Sequence, residues 1–389
     1  MNAIILAAGK SSRMYKGGAN LPKGLLPILG IPNIERIILM LHMLDINEII
    51  IAVPFDSVHF DYLAEKYSCT IIHIPLENKN TLTSMNYLIE YIGDSFIIEG
   101  DVVCSKNIFR IFEHSTYYVM KYANPECDEW NVITDSDNNI LNFEIGTHRT
   151  PAIFGISFWI QKDCLLLKEY LKAQLQNEHA AENSFFWDDN IIELLGKICL
   201  KTYEIAPNTA CEMNTVSEYQ YAINLCKEMI ISPNIYFNNN YIRNSNTNFQ
   251  ICSSNDKEHN ILWLGKLFAY YNEDVDFKEP YLYDYWFNQE EFVFIVKNCK
   301  NQEVAFFSLV TGKDFILLRR LFIDSPFRAI GLGKTIISCI LLFSLSCNKN
   351  LRVNAYDKTA AEFYVYLGAE KLFSTYHWKL SREGDINEW

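Results

Sequence analysis

The opening of the chain constrains the fold more than any other stretch. An unbroken apolar run, Ala3 to Ala8, leads directly into a loop of small and cationic residues, GKSSR, and a Pro22-Lys23 pair follows. Such a run is typical of a central parallel strand covered on both faces. Small residues after it let backbone N–H groups approach an anion, and Lys10, Arg13 and Lys23 add positive charge. The stretch predicts a phosphate-binding loop, with an ordinary basic surface turn as the alternative.

Strand and helix patterns alternate after this loop. The alternation is typical of a parallel sheet with helices on both faces, in which ligands bind beyond the carboxyl ends of the strands. The Gly9 loop and the Gly100-Asp101 turn both follow strands, so we expect them to face one ligand. The predicted strands are residues 48–53, 70–74 and 95–99, and the predicted helices are 33–44, 57–67 and 81–92.

Shorter strands dominate the next part of the chain and predict a lobe on the substrate side. Asp-Asn turn chemistry separates two of them at residues 137–139. The predicted strands are 117–121, 130–134, 140–145, 152–159 and 199–205, and the predicted helices are 161–176, 188–195 and 216–231.

A change of composition divides the chain. Residues 232–260 are rich in asparagine and poor in aliphatic side chains, which predicts a linker. A length of 389 residues also exceeds that of a typical single domain. We therefore expect a first domain over residues 1–231, a linker over 232–260 and a second domain over 261–389.

Net charge and cysteine pattern limit the partners. A formal charge of −13 disfavours nucleic acid and anionic membranes, so small-molecule substrates are expected. The 11 cysteines form no CxxC pair, which indicates buried thiols in a reducing cytoplasm. The apolar stretch 336–345 is too short to span a bilayer, which needs about 20 residues. A homo-oligomer is compatible with the sequence but not required by it.

Seven motifs in the first 230 residues carry a family resemblance. They are LAAGKSSRM, LPKGLLPI, ENKNTLTSM, IIEGDVV, FGISFW, FFWDD and CEMNTVSEY. In this order they resemble the nucleotidyltransferases that transfer a nucleoside monophosphate onto a phosphorylated small molecule, and within them the phosphocholine cytidylyltransferase group. The resemblance implies a Rossmann-like nucleotidyltransferase sheet. It also implies CTP as the nucleotide, and a phosphorylated amino alcohol or an aminoalkyl phosphonate as the acceptor.

The resemblance further implies roles for individual residues. Lys23 would bridge the α-phosphate and the attacking phosphate, and Asp101 would bind Mg²⁺. Relatives commonly have a second metal-binding Asp in a Glu-Ile-Asp segment, where this chain has Glu212-Met213-Asn214. Glu212 or the uncharged Asn214 would have to replace it. The implied nucleotide-binding residues are Ala8, Gly9, Lys10, Ser11 and Arg13 for the β- and γ-phosphates, and Asn80 and Ser84 for the base and ribose.

Aromatic side chains are candidates for the cationic end of the acceptor. Trp130, Trp159 and Trp187 could form a cation-binding aromatic box, although tryptophans are more often core residues. Asp188 and Asp189 could contact the same cationic end or cap the helix that follows.

A second set of motifs lies near the C-terminus. RAIGLG opens a predicted helix after a strand, and glycines at a helix start expose N–H groups to a pyrophosphate. The spacing resembles the R-x-x-G-x-G signature of the GNAT acetyltransferases, which implies a GNAT-type α+β domain that uses acetyl-CoA. By that resemblance Arg328, Gly331 and Gly333 bind the cofactor pyrophosphate, and Tyr364 protonates the departing thiolate. General-base candidates are Glu273, Asp274 and Glu290, which surface acidity explains equally well.

Together the two resemblances imply a bifunctional enzyme, a CTP- and Mg²⁺-dependent cytidylyltransferase joined to an acetyl-CoA-dependent N-acetyltransferase. A substrate shared by both domains would need a free amine. The alternative is a sugar-1-phosphate nucleotidylyltransferase whose C-terminal domain binds acyl-CoA without catalysis.

Overall fold

The structure is a computed structural model. It describes residues 1–75, 80–121, 130–146, 151–177, 186–189, 191–206, 208–230, 232–244, 247–271, 287, 291–372 and 375–378. The chain divides into two compact units. No helix in the described ranges is both long and apolar enough to cross a membrane. The first unit comprises Met1–Ile28, Pro32–Leu41 and Ile46–Leu225, and the second comprises Leu29–Ile31, His42–Asp45 and Cys226–Trp389.

Short strands make up most of the regular structure up to residue 225. They are β1 (Asn2–Leu6), β2 (Pro27–Ile28), β3 (Ile31–Pro32), β4 (Glu48–Pro54), β5 (Thr70–Ile74), β6 (Ser95–Glu99), β7 (Val102–Cys104), β8 (Ser115–Met120), β9 (Trp130–Thr134), β10 (Ile140–Ile145), β11 (Ala152–Trp159), β12 (Leu200–Glu204) and β13 (Ala210–Glu212). The helices that begin in this part are α1 (Ser12–Lys16), α2 (Asn33–His42), α3 (Tyr62–Tyr67), α4 (Thr81–Met85), α5 (Gln161–Leu175) and α6 (Val216–Met229).

One nine-stranded sheet organises the first unit. Its order is β10-β9-β11-β6-β1-β4-β5, and β8 pairs with both β11 and β12. Strands β6, β1, β4 and β5 are parallel, whereas β11 runs antiparallel beside β6. Ala3, Ile4 and Ile5 of β1 are all fully buried, so both faces of the central strand are covered. This explains the continuous apolar run in the sequence and confirms the predicted α/β sheet.

Three predicted helices are shorter than expected. Residues 57–67 form a 3₁₀ turn, Val58–Phe60, followed by α3, and residues 81–92 form α4 followed by the 3₁₀ turn Ile89–Tyr91. Within 188–195 the structure has a 3₁₀ turn at Ile191–Leu194. Buried positions three or four residues apart, such as Leu82, Met85 and Leu88, satisfy both helix types, so periodicity alone overestimated the helix lengths.

An eight-stranded sheet organises the second unit, in the order β14-β15-β16-β17-β18-β19-β21-β20. Most neighbours are antiparallel, but β18 and β19 are parallel and α9 lies between them in the chain. The strands are β14 (Asn240–Asn244), β15 (Thr247–Ser253), β16 (Glu291–Asn298), β17 (Glu303–Thr311), β18 (Phe315–Ile323), β19 (Asn350–Val353), β20 (Glu370–Leu372) and β21 (Thr375–Trp378). The helices are α7 (Pro233–Phe237), α8 (Lys257–Tyr270), α9 (Leu332–Ser346) and α10 (Lys358–Tyr366).

The linker predicted for residues 232–260 is wrong. Helix α7, the hairpin β14–β15 and the start of α8 occupy this segment. Asn240 and Asn244 are buried, and the Asn244 amide donates to Thr335 Oγ1 of α9 at 3.3 Å. Buried side-chain amides with polar partners allow an asparagine-rich sequence to form ordered strands, which composition alone cannot show.

Candidate active site

A close backbone approach joins two loops at one edge of the first sheet. Gly100 N donates to Leu6 O at 3.0 Å. A Cβ atom at residue 100 would lie 3.0 Å from the Ala7 Cβ and 3.1 Å from Leu6 O, so glycine permits this contact. The turn that carries Asp101 therefore lies beside the loop that begins at Ala7, where the carboxyl ends of β1 and β6 meet.

A cavity of about 740 Å³ opens at this edge, a size typical of small-molecule sites. Cationic side chains crowd one part of it. Lys23 Nζ lies 2.5 Å from Asp101 Oδ2 and 2.8 Å from Asn214 Oδ1, and Arg13 Nη2 lies 2.9 Å from the same Asn214 oxygen. The predicted residues that line the cavity are Ala8, Gly9, Lys10, Arg13, Lys23, Asn80, Ser84, Asp101 and Asn214.

Three predicted nucleotide-binding residues also shape the local backbone. Ser11 has a left-handed conformation, with φ of 49°, and its Oγ accepts from Lys23 N at 3.1 Å. Asn80 caps α4, because its Oδ1 accepts from Thr83 N at 2.8 Å. Ser84 Oγ donates to Asn80 O at 3.1 Å. These bonds hold the cavity walls in place around the lining residues.

The donor set fits a divalent cation through its carboxylates. Asp101 and Glu99 line the cavity, and the Glu212 carboxylate lies near enough to raise the pKa of Glu99. Asn214 fits less well, since its Oδ1 carries no charge and accepts from two cationic donors, whereas Asp101 is charged and pairs with Lys23 through Oδ2. Among the described residues no group of three or more His, Cys, Asp or Glu side chains forms a self-contained metal site. Asp101 and Glu99 could hold Mg²⁺, because this cation takes one or two carboxylates together with substrate phosphates.

A second cavity of about 180 Å³ adjoins the first, because Glu99 and Phe186 line both. Its walls combine aromatic rings with carboxylates, and Tyr117 OH donates to Asp188 Oδ2 at 3.1 Å. The aromatic and acidic lining residues are Tyr117, Trp130, Phe186, Trp187, Glu99, Asp188, Asp189 and Glu212.

Burial and mutual repulsion raise the pKa values of two carboxyl groups in this second cavity. Burial raises the pKa of Asp188 to about 6; Asp189 adds to the increase, and the Tyr117 hydrogen bond opposes it. Burial also raises the pKa of Glu99 well above its ordinary value, with further contributions from Asp101, Glu212 and Asp188 that outweigh Lys23. A ligand cation would relieve this repulsion, so the cavity suits a positively charged group.

One member of the predicted aromatic box is misplaced. Trp159 is fully buried, its Nε1 donates to Ser157 Oγ at 3.0 Å, and its ring packs edge-on against Tyr117 and Trp187. Trp159 packs against two residues that line the cavity, Tyr117 and Trp187, and does not line the cavity itself. The prediction for Trp159 as a ligand contact is therefore wrong, because Trp159 is the last residue of β11, inside the sheet, and is a fully buried core residue.

The sequence reasoning missed two lining residues. Glu99 ends the buried strand β6 and lines both cavities, and Tyr117 lies on β8 with its hydroxyl group bonded to Asp188. A carboxylate at the end of an apolar strand, two positions before Asp101, was the signal for Glu99. Nothing in the sequence marked Tyr117 as a site residue, because tyrosine is common in strands.

The second unit places its predicted residues around the start of α9. Gly331 has φ of 92°, and a Cβ there would lie 2.7 Å from Asn244 Nδ2. Arg328 Nε donates to Ile323 O at 2.7 Å, and its guanidinium lies 3.8 Å from the Tyr270 ring centre. Gly333 follows in the first turn, against Phe363.

Tyr364 is buried on α10, and burial, with Tyr271 and Asp357 nearby, raises the pKa of its hydroxyl group. The general-base candidates Glu273, Asp274 and Glu290 lie outside the described residues, as do residues 76–79 of the ENKNTLTSM motif.

Comparisons with known proteins place the first unit in a family. Residues 3–111 match the MobA-like NTP transferase domain family. The chain is 31% identical to the choline-phosphate cytidylyltransferase of Haemophilus influenzae over 57% of its own length and 96% of that protein. It is 26% identical to the 2-aminoethylphosphonate cytidylyltransferase of Lancefieldella rimae, over 56% and 89% of the two chains. The solved CTP:phosphocholine cytidylyltransferase of Streptococcus pneumoniae superposes with a TM-score of 0.52 at 26% identity, covering 58% of this chain and 98% of the other.

The first unit thus has the fold and the cationic strand-end loop of a nucleotidyltransferase. The chain belongs, through residues up to about 225, to the choline-phosphate cytidylyltransferase family. Its C-terminal unit lies beyond the region that these relatives cover.

Proposed function

We propose that the first unit transfers a cytidylyl group from CTP to a small phosphate or phosphonate that carries a positive charge. The observation that supports this most strongly is the pair of adjoining cavities. The larger one holds Arg13 and Lys23 at a strand end, where a triphosphate would bind. The smaller one holds aromatic rings and carboxylates, which suit an ammonium group.

In this reaction a phosphate or phosphonate oxygen of the acceptor attacks the α-phosphorus of CTP. A new P–O bond forms, the bond from the α-phosphorus to the bridging oxygen breaks, and pyrophosphate leaves. Lys23 and Arg13 bind the phosphates and orient them, so the protein contributes by positioning and charge. Mg²⁺, held by Asp101 with the triphosphate oxygens, would neutralise further phosphate charge when bound.

The acidic cavity bears on the choice between the acceptor classes. Choline phosphate and 2-aminoethylphosphonate each carry a cationic group that Asp188 and Glu99 would attract, and Trp130 and Trp187 would contact. A hexose 1-phosphate has no positive charge to offset these carboxylates. The cavity therefore supports an amino-alcohol phosphate or aminoalkyl phosphonate over a sugar phosphate.

Pyrophosphate release by the purified protein tests this proposal. CTP, UTP, dTTP and ATP are each paired with choline phosphate, 2-aminoethylphosphonate and glucose 1-phosphate in the presence of Mg²⁺. We expect release with CTP and a cationic acceptor. Release with glucose 1-phosphate alone, or with no pair, would refute the proposal.

We further propose that the second unit binds acetyl-CoA and acetylates an amine. Pairing of β18 with β19 runs from Phe315 to Leu318, whereas its pairing with β17 continues to Ile323. Strand β18 thus extends five residues beyond its parallel partner, and the turn that leads to α9 follows its end at Ile323. Gly331 is the N-cap of α9 and contributes no side-chain hydrogen bond to it, and the start of a helix is a general site for binding a pyrophosphate.

Thermal unfolding with acetyl-CoA and a CoA-release assay with 2-aminoethylphosphonate test this second activity. We expect acetyl-CoA to raise the unfolding temperature, as a ligand of the native state does, and the amine to release CoA. Stabilisation without CoA release, across a panel of primary amines, would favour a binding domain. No stabilisation would refute the proposal for this unit.

A further inference from the structure

Asn214 occupies a fixed position between two structural elements of the first unit. Strand β13 ends at Glu212 and pairs antiparallel with β7, and Met213 N donates to Asp101 O at 3.1 Å. Glu218 Oε2 then accepts from Asn214 N at 2.6 Å and from Thr215 N at 2.8 Å, which fixes the start of α6. The backbone on both sides of Asn214 is therefore held, and its side chain lines the larger cavity.

The side-chain amide of Asn214 joins the two cations that the proposed reaction uses. Its Oδ1 accepts from Lys23 Nζ at 2.8 Å and from Arg13 Nη2 at 2.9 Å, so both lone pairs have partners. Its Nδ2 faces Glu212 Oε2 at 3.4 Å. The oxygen thus points to the cations and the nitrogen to a carboxylate, which is the orientation that electrostatics favours.

The uncharged amide oxygen of Asn214 affects Lys23 and Arg13 differently from the way a carboxylate at the same position would. A carboxylate here would be a second negative charge beside Lys23, after Asp101, and would also pair with Arg13. Such charge-assisted pairs are about twice as strong as neutral hydrogen bonds, so a triphosphate would have to compete with them. Lys23 already pairs with the Asp101 carboxylate at 2.5 Å. The Asn214 amide holds both cations in place and adds no second negative charge beside them. The same amide oxygen is already occupied and brings no charge to attract a metal.

From these contacts we infer that Asn214 is a positioning residue for Lys23 and Arg13 and is not a metal ligand. It acts as an uncharged clamp that presents both cations to the triphosphate, while Asp101 carries the metal-binding role. The inference rests on the proposed cytidylyltransferase activity and adds a determinant of nucleotide affinity to it.

The test is CTP affinity, measured by calorimetry without an acceptor, from EDTA to saturating Mg²⁺. We expect Asn214→Ala to weaken CTP binding by about tenfold at every Mg²⁺ concentration and to leave the Mg²⁺ midpoint unchanged, as for loss of hydrogen bonds to charged groups. A matched control is Asn86→Ala, at an exposed position with right-handed backbone, which should bind CTP like the wild type.

Two results would overturn the inference. Loss of a metal ligand would give wild-type affinity at saturating Mg²⁺ with a higher Mg²⁺ midpoint, and a side chain without a role would give unchanged affinity throughout. A wild-type protein that binds no CTP would instead refute the proposed function itself, so the two failures are distinguishable.

A double-mutant cycle with Lys23→Ala gives a second, independent readout. If Asn214 acts through Lys23, the loss of CTP affinity caused by Asn214→Ala becomes several-fold smaller in the Lys23→Ala background. If Asn214→Ala reduced CTP affinity equally in the wild-type and Lys23→Ala proteins, Asn214 would not act through Lys23. Circular dichroism of each variant confirms that the affinities refer to folded protein.

Discussion

Replacing Asp188 by asparagine should raise the stability of the fold and weaken the binding of a cationic substrate. Its carboxylate is buried, and its pKa rises from an ordinary 3.8 to about 6. A raised pKa means that the folded state binds more protons than the unfolded state between these two values. Folding stability therefore falls as the pH rises through this window, and the full cost is present above about pH 6.

The size of this cost follows from the two pKa values. Each tenfold change in a proton affinity corresponds to about 1.4 kcal/mol, so ionised Asp188 lowers the free energy of unfolding by about 3 kcal/mol at pH 7.5. At pH 4.5 the cost falls to about 1 kcal/mol, because Asp188 is then mostly protonated in the folded state. Asn retains an oxygen that can accept the Tyr117 hydrogen bond.

We therefore expect Asp188→Asn to be more stable than wild type at pH 7.5, by up to about 3 kcal/mol, with a gain that shrinks toward pH 4.5. Urea unfolding followed by tryptophan fluorescence measures the difference, since Trp187 lies beside the site. Asp137→Asn, on an exposed turn, is the matched control and should leave stability unchanged. The variant should also have a KM for choline phosphate raised by about tenfold, because it lacks the charge that attracts the cation. A variant that is less stable at pH 7.5, or a gain independent of pH, would refute this account of the cavity.

Three further predictions concern single side chains. Lys23→Ala and Asp101→Ala should each abolish pyrophosphate release while the circular dichroism spectrum stays native; turnover that survives both would show that the site is elsewhere. Trp130→Ala should raise the KM for the cationic acceptor with little loss of stability, whereas Trp159→Ala should lower the free energy of unfolding by about 3–5 kcal/mol. If the two variants changed the KM and the free energy of unfolding to the same extent, the assignment of Trp130 to the cavity wall and Trp159 to the core would be wrong. Tyr364→Phe should slow CoA release without changing acetyl-CoA affinity, and an unchanged rate would exclude the tyrosine as the acid.

The sequence predicted the central sheet well because its physical cause is local. A strand covered on both faces must be apolar throughout, and β1, β4 and β6 show that run directly. The loop chemistry after β1 and β6 then located Lys23 and Asp101 at one edge of the sheet. These inferences needed only the order of strands and the residues at their ends.

The remaining features depend on contacts that no local pattern records. Trp159 and Trp187 look alike in the sequence, and packing across the sheet makes only Trp187 a wall of the cavity. Asn214 occupies the position of an expected metal ligand, and its real partners come from loops about two hundred residues away in the chain. The ordered segment 232–260 was likewise hidden, because its asparagines find partners on α9.

The most direct test of the central claim is a crystal structure with CTP and a non-reactive analogue of choline phosphate. The account predicts the triphosphate along the loop from Gly9 to Lys23 and the quaternary ammonium group between Trp130, Trp187 and Asp188. A cationic group bound outside the smaller cavity, or a triphosphate away from Lys23, would contradict it.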